Sequence, residues 1–151
     1  MSKQINSEFD MQARIAKSFD ELVKSKVNNH QALNDIEIKH LCPVAFKDKM
    51  TKEEINKLGL SKHYSFVPTV NVINDFRSLG YEVVDAKQVK ARKKSTNGYQ
   101  KHLITFEHPK YKTEDNKEYP QILLTNSHDG GNAFTLSAGI FRLVCSNGLV
   151  I

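Results

Sequence analysis

The sequence predicts an α+β fold: a helical N-terminal part followed by a mainly antiparallel sheet with at least one packed helix. Apolar residues recur with helical spacing in the first sixty residues. Short β-rich runs, separated by turn signals, follow residue 80. Of the 151 residues, 39% are hydrophobic and 26% charged, which is typical of a folded chain and argues against disorder. We expect a helical extension over residues 1–60 and an α+β core over residues 61–151, together forming one compact unit.

The first predicted helix covers residues 7–26, with Ser7 as its N-cap. Its apolar positions follow the 3.6-residue period and are Ile15, Phe19, Leu22 and Val23. The polar run at residues 28–30 predicts a break. Residues 36–46 contain apolar groups that we expect to be partly buried, but their pattern favours no single element.

Two further helices have clear boundary signals. Thr51 and Glu54 have the spacing of a capping box, and Gly59 marks the end of the short helix that they begin. Pro68–Leu79 carries an apolar stripe and is followed by Gly80 at the expected C-terminal position, which predicts a packed helix.

The second half of the chain predicts strands. Alternating or continuous apolar runs occur at residues 81–86, 101–107, 121–125 and 133–144. The Asn97-Gly98 pair predicts a tight hairpin turn between the first two strands. Residues 109–119 are polar and loop-like, and Gly139 predicts a bend in the last strand.

The run from Tyr119 to the last residue carries formal charge only at Asp129 and Arg142. So little charge over this length predicts that the run is core. Arg142 is then expected either to form a salt bridge, for which Asp129 is a candidate, or to face a ligand groove.

The positive surplus lies in one segment. Lys and Arg number 22 and Asp and Glu 17, a net charge of +5. Residues 86–102 contain no acid and six basic side chains: Lys87, Lys90, Arg92, Lys93, Lys94 and Lys101. Tyr99 lies among them. A basic strand pair with an aromatic ring can contact phosphates and stack a base. The alternatives are a solvated loop and, for Tyr99, packing within the hairpin.

Cysteine use and hydropathy indicate the compartment. Cys42 and Cys145 lie in apolar contexts far apart, which predicts two buried free thiols rather than a disulfide framework. No apolar run reaches the length of a membrane span, and the first residues lack the apolar stretch of a signal peptide. We therefore expect a protein of a reducing cytoplasm, without a membrane partner.

One polar motif, residues 126–131, joins two apolar runs. Its Asp-Gly-Gly end is typical of a tight turn. The functional alternative pairs His128 with Asp129 for acid–base or metal chemistry, with Ser127 nearby. Adjacent strand residues point to opposite faces, so Ser127 and Asp129 could converge while His128 faces away. This geometry argues against a triad built from these neighbours, and no catalytic residue is assigned.

Metal and nucleotide motifs are absent from the sequence. His40 and Cys42 form the one closely spaced His/Cys pair, and no Cys-x-x-Cys or His-x-x-x-His spacing occurs. No phosphate-binding loop and no Gly-x-Gly-x-x-Gly pattern occurs either. We expect no metal and no cofactor.

Four sequence blocks carry a family resemblance. They are Tyr64–Thr69, Gly80–Gln88, Lys101–Leu103, and a fourth made of Asn126–Gly130, Ala133-Phe134 and Ala138–Val150. Together they resemble the phage/plasmid-like family classed as a domain of unknown function, over a little more than half the chain. Its members usually continue well past the fourth block. The resemblance implies a mobile-element context, and with it the cytoplasm of a bacterial host cell, and it supplies no catalytic residues. The positions that match these blocks and whose roles stay open are Asn126, Ser127, His128, Asp129, Gly130, Arg142, Ser146 and Asn147.

Three functions follow as hypotheses. The first is a non-catalytic phage or mobile-element protein that binds DNA or RNA through the basic hairpin, for example in recombination or replication of the element. The alternative is a protein inhibitor of a host defence complex, of the anti-CRISPR kind. The third is a metal-dependent hydrolase that uses His128 and Asp129. The apolar C-terminal strand also makes a homodimer an option.

Overall fold

The computed structural model describes residues 2–113, 115 and 117–142, with the backbone alone for residues 2–6 and Arg142. The helices are α1 (Ser2–Asn28), α2 (Asp35–Leu41), α3 (Lys52–Lys57) and α4 (Thr69–Ser78). The strands are β1 (Glu82–Gln88), β2 (His102–Glu107), β3 (Glu118–Asn126) and β4 (Thr135–Arg142). Short 3₁₀ helices cover Pro43–Phe46, Lys94–Thr96 and Pro109–Tyr111. The predicted α+β class, with helices first and an antiparallel sheet after, is confirmed.

The four strands form one antiparallel sheet in the order β1-β2-β3-β4. Ile104 lies opposite Ala86 on one side and Leu124 on the other, which defines the register of the β1–β2 and β2–β3 pairings. A β-bulge interrupts β1 after Val83, and the carbonyl oxygen of Val83 accepts a hydrogen bond from the backbone N–H of Leu33 at 2.8 Å. The first sixty residues are therefore hydrogen-bonded to the sheet.

The core lies on one face of the sheet. Side chains alternate along a strand, so Ile104 and Phe106 share this face. They are fully buried and pack in one cluster with Ile38 of α2 and Ile73 of α4. Burying an aromatic or branched apolar side chain contributes about 1.5–3 kcal/mol each. Because Ile38 precedes residue 60 and Phe106 follows it, the core is shared by the two parts of the chain.

Helix α1 differs from its prediction at both ends. It begins at Ser2, upstream of the proposed Ser7 cap, and extends to Asn28. Within the expected stripe, Val23 is buried and Phe19 is partly buried against the core. Ile15 and Leu22, however, are 63% and 52% exposed. The periodicity correctly predicted a helix, but only its last turns reach the rest of the described chain.

The predicted burial of the C-terminal run is wrong for β4. The exposed fractions of Leu136, Ile140 and Phe141 are 48%, 58% and 41%. The strand lies at the end of the sheet order, whereas the helices α2 and α4 contact β1, the strand at the opposite end. Low charge therefore indicated a strand but not its burial. Cys145 lies outside the described residues, whereas Cys42 is a buried free thiol as expected.

The remaining elements agree closely with the sequence signals. Thr51 and Glu54 form both hydrogen bonds of the capping box of α3, and Gly59 has the predicted positive φ, +66°. Helix α2 begins with a second capping box, from Asn34 and Glu37, in a region whose residue pattern favoured no single element. Within the described part of the chain, no helix combines the length and apolarity needed to cross a bilayer.

Candidate nucleic-acid interface

The basic segment is a long loop and not a two-residue hairpin turn. Strands β1 and β2 pair as predicted, but residues 89–101, here called the basic loop, connect them. The backbone N–H of Val89 donates to the carbonyl of Lys101 at 3.0 Å, which closes the base of the loop. Asn97 and Gly98 do form a turn, which the backbone N–H of Tyr99 closes by donating to the carbonyl of Thr96 at 3.1 Å. This turn lies inside the loop, after a short 3₁₀ helix, and does not join the two strands directly as predicted. The connection between β1 and β2 is therefore thirteen residues long and contains its own 3₁₀ helix, Lys94–Thr96.

The Gln100 side chain stabilises the backbone at Asn97 and Gly98, near the C-terminal end of the basic loop. The side chain is 5% exposed and accepts a hydrogen bond from the backbone N–H of Gly98 at 2.6 Å. The Gln100 amide also donates to the side-chain oxygen of Asn97 at 3.3 Å. Gly98 has a φ of +98°, a conformation that favours glycine.

Tyr99 anchors the basic loop to the N-terminal part. Its hydroxyl donates to the Glu54 carboxylate at 2.5 Å, and the Lys47 ammonium lies 4.8 Å from the ring centre. The hydrogen bond to Glu54 raises the pKa of Tyr99 to about 12. Hydrogen bonds from Lys47 and then Tyr99 lower the pKa of Glu54 to about 2. The structure therefore gives Tyr99 a tethering contact, as in the packing alternative.

The cations of the basic loop are exposed and unpaired. Among the described residues, Lys87 forms an ion pair with Asp85 at 3.5 Å. The others form no ion pair with any described carboxylate and are Lys90, Arg92, Lys93, Lys94 and Lys101. Elsewhere, Lys26, Lys47, Arg77 and Lys112 are all neutralised by carboxylates. The positive potential of the loop is thus available to a ligand.

Two grooves border the loop. One has a volume of about 900 Å³ and is lined by residues from Gln88 to Gln100. The other has a volume of about 490 Å³; Lys90, Arg92 and Lys101 contribute to its walls, together with Asp129 and Asn132 from another part of the chain. The structure therefore brings the basic loop and the Asn126–Gly130 motif to one site, although the sequence analysis treated them separately.

The pairing of β2 with β3 explains this meeting. His102 lies opposite Asn126, so the residues just beyond them, Lys101 and Ser127, leave the sheet at the same edge. The backbone N–H of His128 donates to the carbonyl of Tyr99 at 2.9 Å and ties the turn to the loop. Asn132 and Gln100 were missed by sequence reasoning, because neither carries a charge nor belongs to a motif.

Asn126 joins the end of β3 to the start of α4, and Ser127 closes the turn that follows. The Asn126 amide donates to the carbonyl of Val67 at 2.9 Å and to the Thr69 hydroxyl at 3.1 Å. The Ser127 hydroxyl accepts from the backbone N–H of Asn132 and donates to its carbonyl, at 3.1 and 3.2 Å. Both side chains are buried and paired, which is a structural role.

His102 is a neutral link in the same network. Its Nδ1–H donates to the carbonyl of Gln100 at 2.9 Å, so its Nε2 is free to accept from the Thr69 hydroxyl at 2.6 Å. The Thr69 oxygen in turn accepts from Asn126. Burial lowers the pKa of His102, which keeps this arrangement intact at neutral pH.

His128 and Asp129 do not converge. The His128 ring is fully buried, 4.9 Å from the Phe66 ring and 5.1 Å from the His102 ring, and its Nε2–H donates to the carbonyl of Val44 at 3.2 Å. Burial, followed by the nearby His102, lowers the pKa of His128 to about 4. The Asp129 side chain instead lines the smaller groove. No group of three or more His, Cys, Asp or Glu side chains suited to a metal occurs in the described part of the chain.

Asp129 is held by its own turn. Its Oδ1 accepts from the backbone N–H of Gly131 at 2.8 Å. Burial is the main cause that raises the pKa of Tyr64, and the negative charge of Asp129 is the second. Asp129 therefore presents an ordered carboxylate to a groove whose other charged walls are cationic.

The suggested pairing of Arg142 with Asp129 is wrong. The Arg142 backbone lies opposite Glu118, at the start of β3, whereas Asp129 follows the end of that strand. At about 3.3 Å per residue, the length of β3 places them roughly 25 Å apart. The Arg142 side chain, Ser146 and Asn147 lie outside the residues whose side chains the structure describes.

Gly130 requires a glycine backbone. Its φ is +77°, and a Cβ there would lie 2.5 Å from Cδ2 of Leu60. Because a left-handed conformation costs an L-residue about 1–2 kcal/mol, we expect Gly130→Ala to lower the free energy of unfolding by at least that amount. Gly139→Ala is the matched control: a Cβ added at Gly139 would have no neighbouring atom within 4 Å, and we expect a change below about 0.5 kcal/mol. Urea denaturation followed by circular dichroism measures both; equal values would contradict the assignment.

The comparisons with known proteins identify a family. The family model described as "Domain of unknown function (DUF932)" matches residues 58–151. The UPF0380 proteins YafZ and YfjQ of Escherichia coli (strain K12) are each 32% identical to this chain over 90 residues, 60% of its length. That match covers 32% of each relative, so the chain spans about a third of the curated relatives that it matches. No solved structure matches the chain.

The family match includes β1–β4, α4, the basic loop and the turn beside it, and it confirms the resemblance to a family classed as a domain of unknown function. It begins after α3, so α1, α2 and α3 lie outside it. The match covers more than half of the chain, and the chain therefore belongs to the family of the domain of unknown function DUF932.

Proposed function

We propose that this chain is a non-catalytic phage or mobile-element protein that binds nucleic acid along the two grooves of the basic loop. One observation carries the proposal: the loop presents exposed cations without carboxylate partners among the described residues, and Lys90, Arg92 and Lys93 line both grooves. Unpaired cations of this kind release counterions when they contact phosphates, which supplies binding free energy. Recombination or replication of a mobile element would use such binding.

The architecture of the loop supports this role. The Tyr99 hydroxyl tethers the loop to Glu54, and the Gln100 amide hydrogen-bonds Asn97 within the loop. A tethered loop loses less conformational entropy on binding than a free one. The backbone link from His128 to Tyr99 holds the second wall of the smaller groove in place. The site is therefore pre-organised for a ligand that follows the loop.

Charge reversal tests the proposal. We expect the quadruple variant Lys90→Glu, Arg92→Glu, Lys93→Glu and Lys94→Glu to bind labelled DNA and RNA about a hundredfold more weakly than the parent chain, because four phosphate contacts become repulsive. Fluorescence anisotropy with single- and double-stranded probes measures this. For the parent chain, five contacts predict a loss of roughly a hundred- to five-hundredfold in affinity between about 50 and 200 mM salt.

The control variant makes the same change of charge elsewhere. Four exposed lysines outside the grooves and without ion pairs in the described residues are Lys17, Lys39, Lys110 and Lys117. Their quadruple replacement by Glu is expected to change affinity less than the loop variant does, by about tenfold at most at 200 mM salt, since distant charges are screened. Equal losses from both variants, or binding that survives the loop reversal, would overturn the proposal.

A second candidate is a protein-binding inhibitor of a host defence complex, of the anti-CRISPR kind. The exposed apolar side chains of Leu136 and Ile140, which share one face of β4, favour it, because such patches mark protein interaction sites. Beside them lies an apolar groove of about 430 Å³ that includes Tyr111 and Ile140. A pull-down from nuclease-treated host lysate, compared between the parent chain and Leu136→Ser/Ile140→Ser, tests it. A stoichiometric defence protein that only the parent retains would support this candidate over the first.

A further inference from the structure

Asp129 is an exception within the smaller groove. Its carboxylate lines a cavity to which Lys90, Arg92, Lys93 and Lys101 also contribute, and it is the one acidic residue among the lining side chains. A carboxylate repels a phosphate, so the position beside Asp129 does not suit the backbone of a nucleic acid. It suits a ligand group that carries N–H donors.

The carboxylate is ordered and still has acceptor capacity. The backbone N–H of Gly131 uses one acceptor position of Oδ1, and no described lysine or arginine forms an ion pair with either carboxylate oxygen. Asn132, whose side chain is exposed beside it, adds an amide with both donor and acceptor groups. Both oxygens of Asp129 can therefore accept from two neighbouring donors of one ligand.

Among the bases, guanine offers that pair of donors. Its Watson–Crick edge carries N1–H next to the N2 amino group, whereas the same edge of thymine or uracil has one N–H between two carbonyls. Adenine and cytosine each present one amino group beside a ring acceptor. In a duplex this edge of guanine is occupied by cytosine, so the base must be unpaired, as in the single-stranded segments that proteins read by base edges.

We propose that the smaller groove binds single-stranded nucleic acid and that Asp129 selects guanine by accepting hydrogen bonds from N1–H and N2–H. This inference rests on the proposed function, since the cations of the basic loop supply the phosphate contacts on either side of the base. Asp129 is then a specificity-determining residue, and its contribution is separable from that of the loop.

The test uses single-base probes. Labelled thymidine oligonucleotides of twelve residues carry one central dG, dI, dA or dC, and their RNA equivalents carry the same bases in uridine. We expect the parent chain to bind the dG probe roughly tenfold more tightly than the dA or dC probe, in the range of a good base contact. Inosine, which lacks the N2 amino group, should fall between them.

Asp129→Asn is the informative variant. The Asn side-chain oxygen can still accept from the Gly131 N–H, so the turn is preserved, but the second acceptor becomes a donor. We expect the dG preference to fall below about twofold while affinity for plain thymidine stays equal or rises. Asp75→Asn, an exposed carboxylate on α4 outside the groove, makes the same change of charge and should leave the preference unchanged.

The possible results separate the two proposals. Equal binding of all single-stranded probes by the parent chain would overturn guanine selection and leave nucleic-acid binding standing. A preference that survives Asp129→Asn would overturn the role of this carboxylate. Tighter binding to a duplex than to every single strand would overturn the single-stranded assignment. Absence of binding to any probe at about 50 mM salt would overturn the proposed function itself.

Discussion

Replacement of Glu107 by alanine is expected to lower the free energy of unfolding by about 3–5 kcal/mol, more than any other single substitution proposed for this chain. Glu107 is fully buried at the end of β2. Its Oε2 lies 2.5 Å from Nδ1 of His30 and accepts from the Gln121 amide at 2.8 Å, while Lys112 lies 3.5 Å from Oε1. Without the carboxylate, the groups that it pairs would remain in a low-dielectric site without compensation.

The environment of His30 explains why the loss would be large. Its ring stacks on Tyr119 with centres 4.0 Å apart, its backbone φ is +52°, and its carbonyl accepts from the Lys112 ammonium at 3.2 Å. A positive φ in a non-glycine residue is sparsely populated and persists where its surroundings hold it. Through His30, Glu107 thus fixes the end of α1 against Tyr119 of β3 and against Lys112, which precedes that strand.

Urea denaturation measures the loss of stability in Glu107→Ala, and two further variants serve for comparison. Glu107→Gln retains the shape and one acceptor, so its loss should be smaller than that of Glu107→Ala. Glu21→Ala removes an exposed carboxylate of α1 without an ion pair in the described residues and should change stability by less than about 0.5 kcal/mol. A Glu107→Ala chain as stable as the Glu21→Ala chain would show that the cluster contributes nothing net.

This cluster could not be predicted from the sequence. His30, Glu107 and Lys112 belong to no local motif, and His30 and Glu107 are 77 positions apart. They meet only because the end of α1 lies against the sheet. By contrast, the boundaries of α3 and α4 were predicted well because their signals, the Thr51–Glu54 capping box and Gly80, are local. The capping box of α2, Asn34 and Glu37, was equally local and was simply overlooked.

In the candidate site, too, the local features were predictable from the sequence and the long-range contacts were not. Charge and composition were enough to identify the cations of the basic loop. Their meeting with Asp129 depends on the register between β2 and β3, in which His102 faces Asn126. A one-residue change of register would move every side chain to the other face, so the sequence alone could not establish it. Burial of β4 was mispredicted for a related reason: low charge describes the residues but not which side of the sheet is covered.

The second large effect concerns pH. We expect the free energy of unfolding to fall by about 2 kcal/mol between pH 7.5 and pH 5 through His128 alone, approaching about 3 kcal/mol at pH 4 and below, because its pKa in the folded chain is lowered to about 4. An unfolded histidine has its ordinary value near 6.5, so the unfolded chain binds more protons throughout this window. Stability is therefore present above pH 6.5 and is lost as the pH falls toward 4. His102, whose pKa burial also lowers, acts in the same direction.

His128→Gln isolates the contribution of His128. The variant starts from a lower stability at pH 7.5, since the buried ring is lost, but its further decline to pH 5 should be smaller than that of the parent chain by about 2 kcal/mol. His63→Gln removes an exposed histidine and should reproduce the parent profile. Urea midpoints at half-unit intervals of pH measure the three slopes. Parallel profiles for the parent chain and His128→Gln would mean that protonation of His128 does not destabilise the folded chain. The assignment of His128 as a neutral, buried ring would then be wrong.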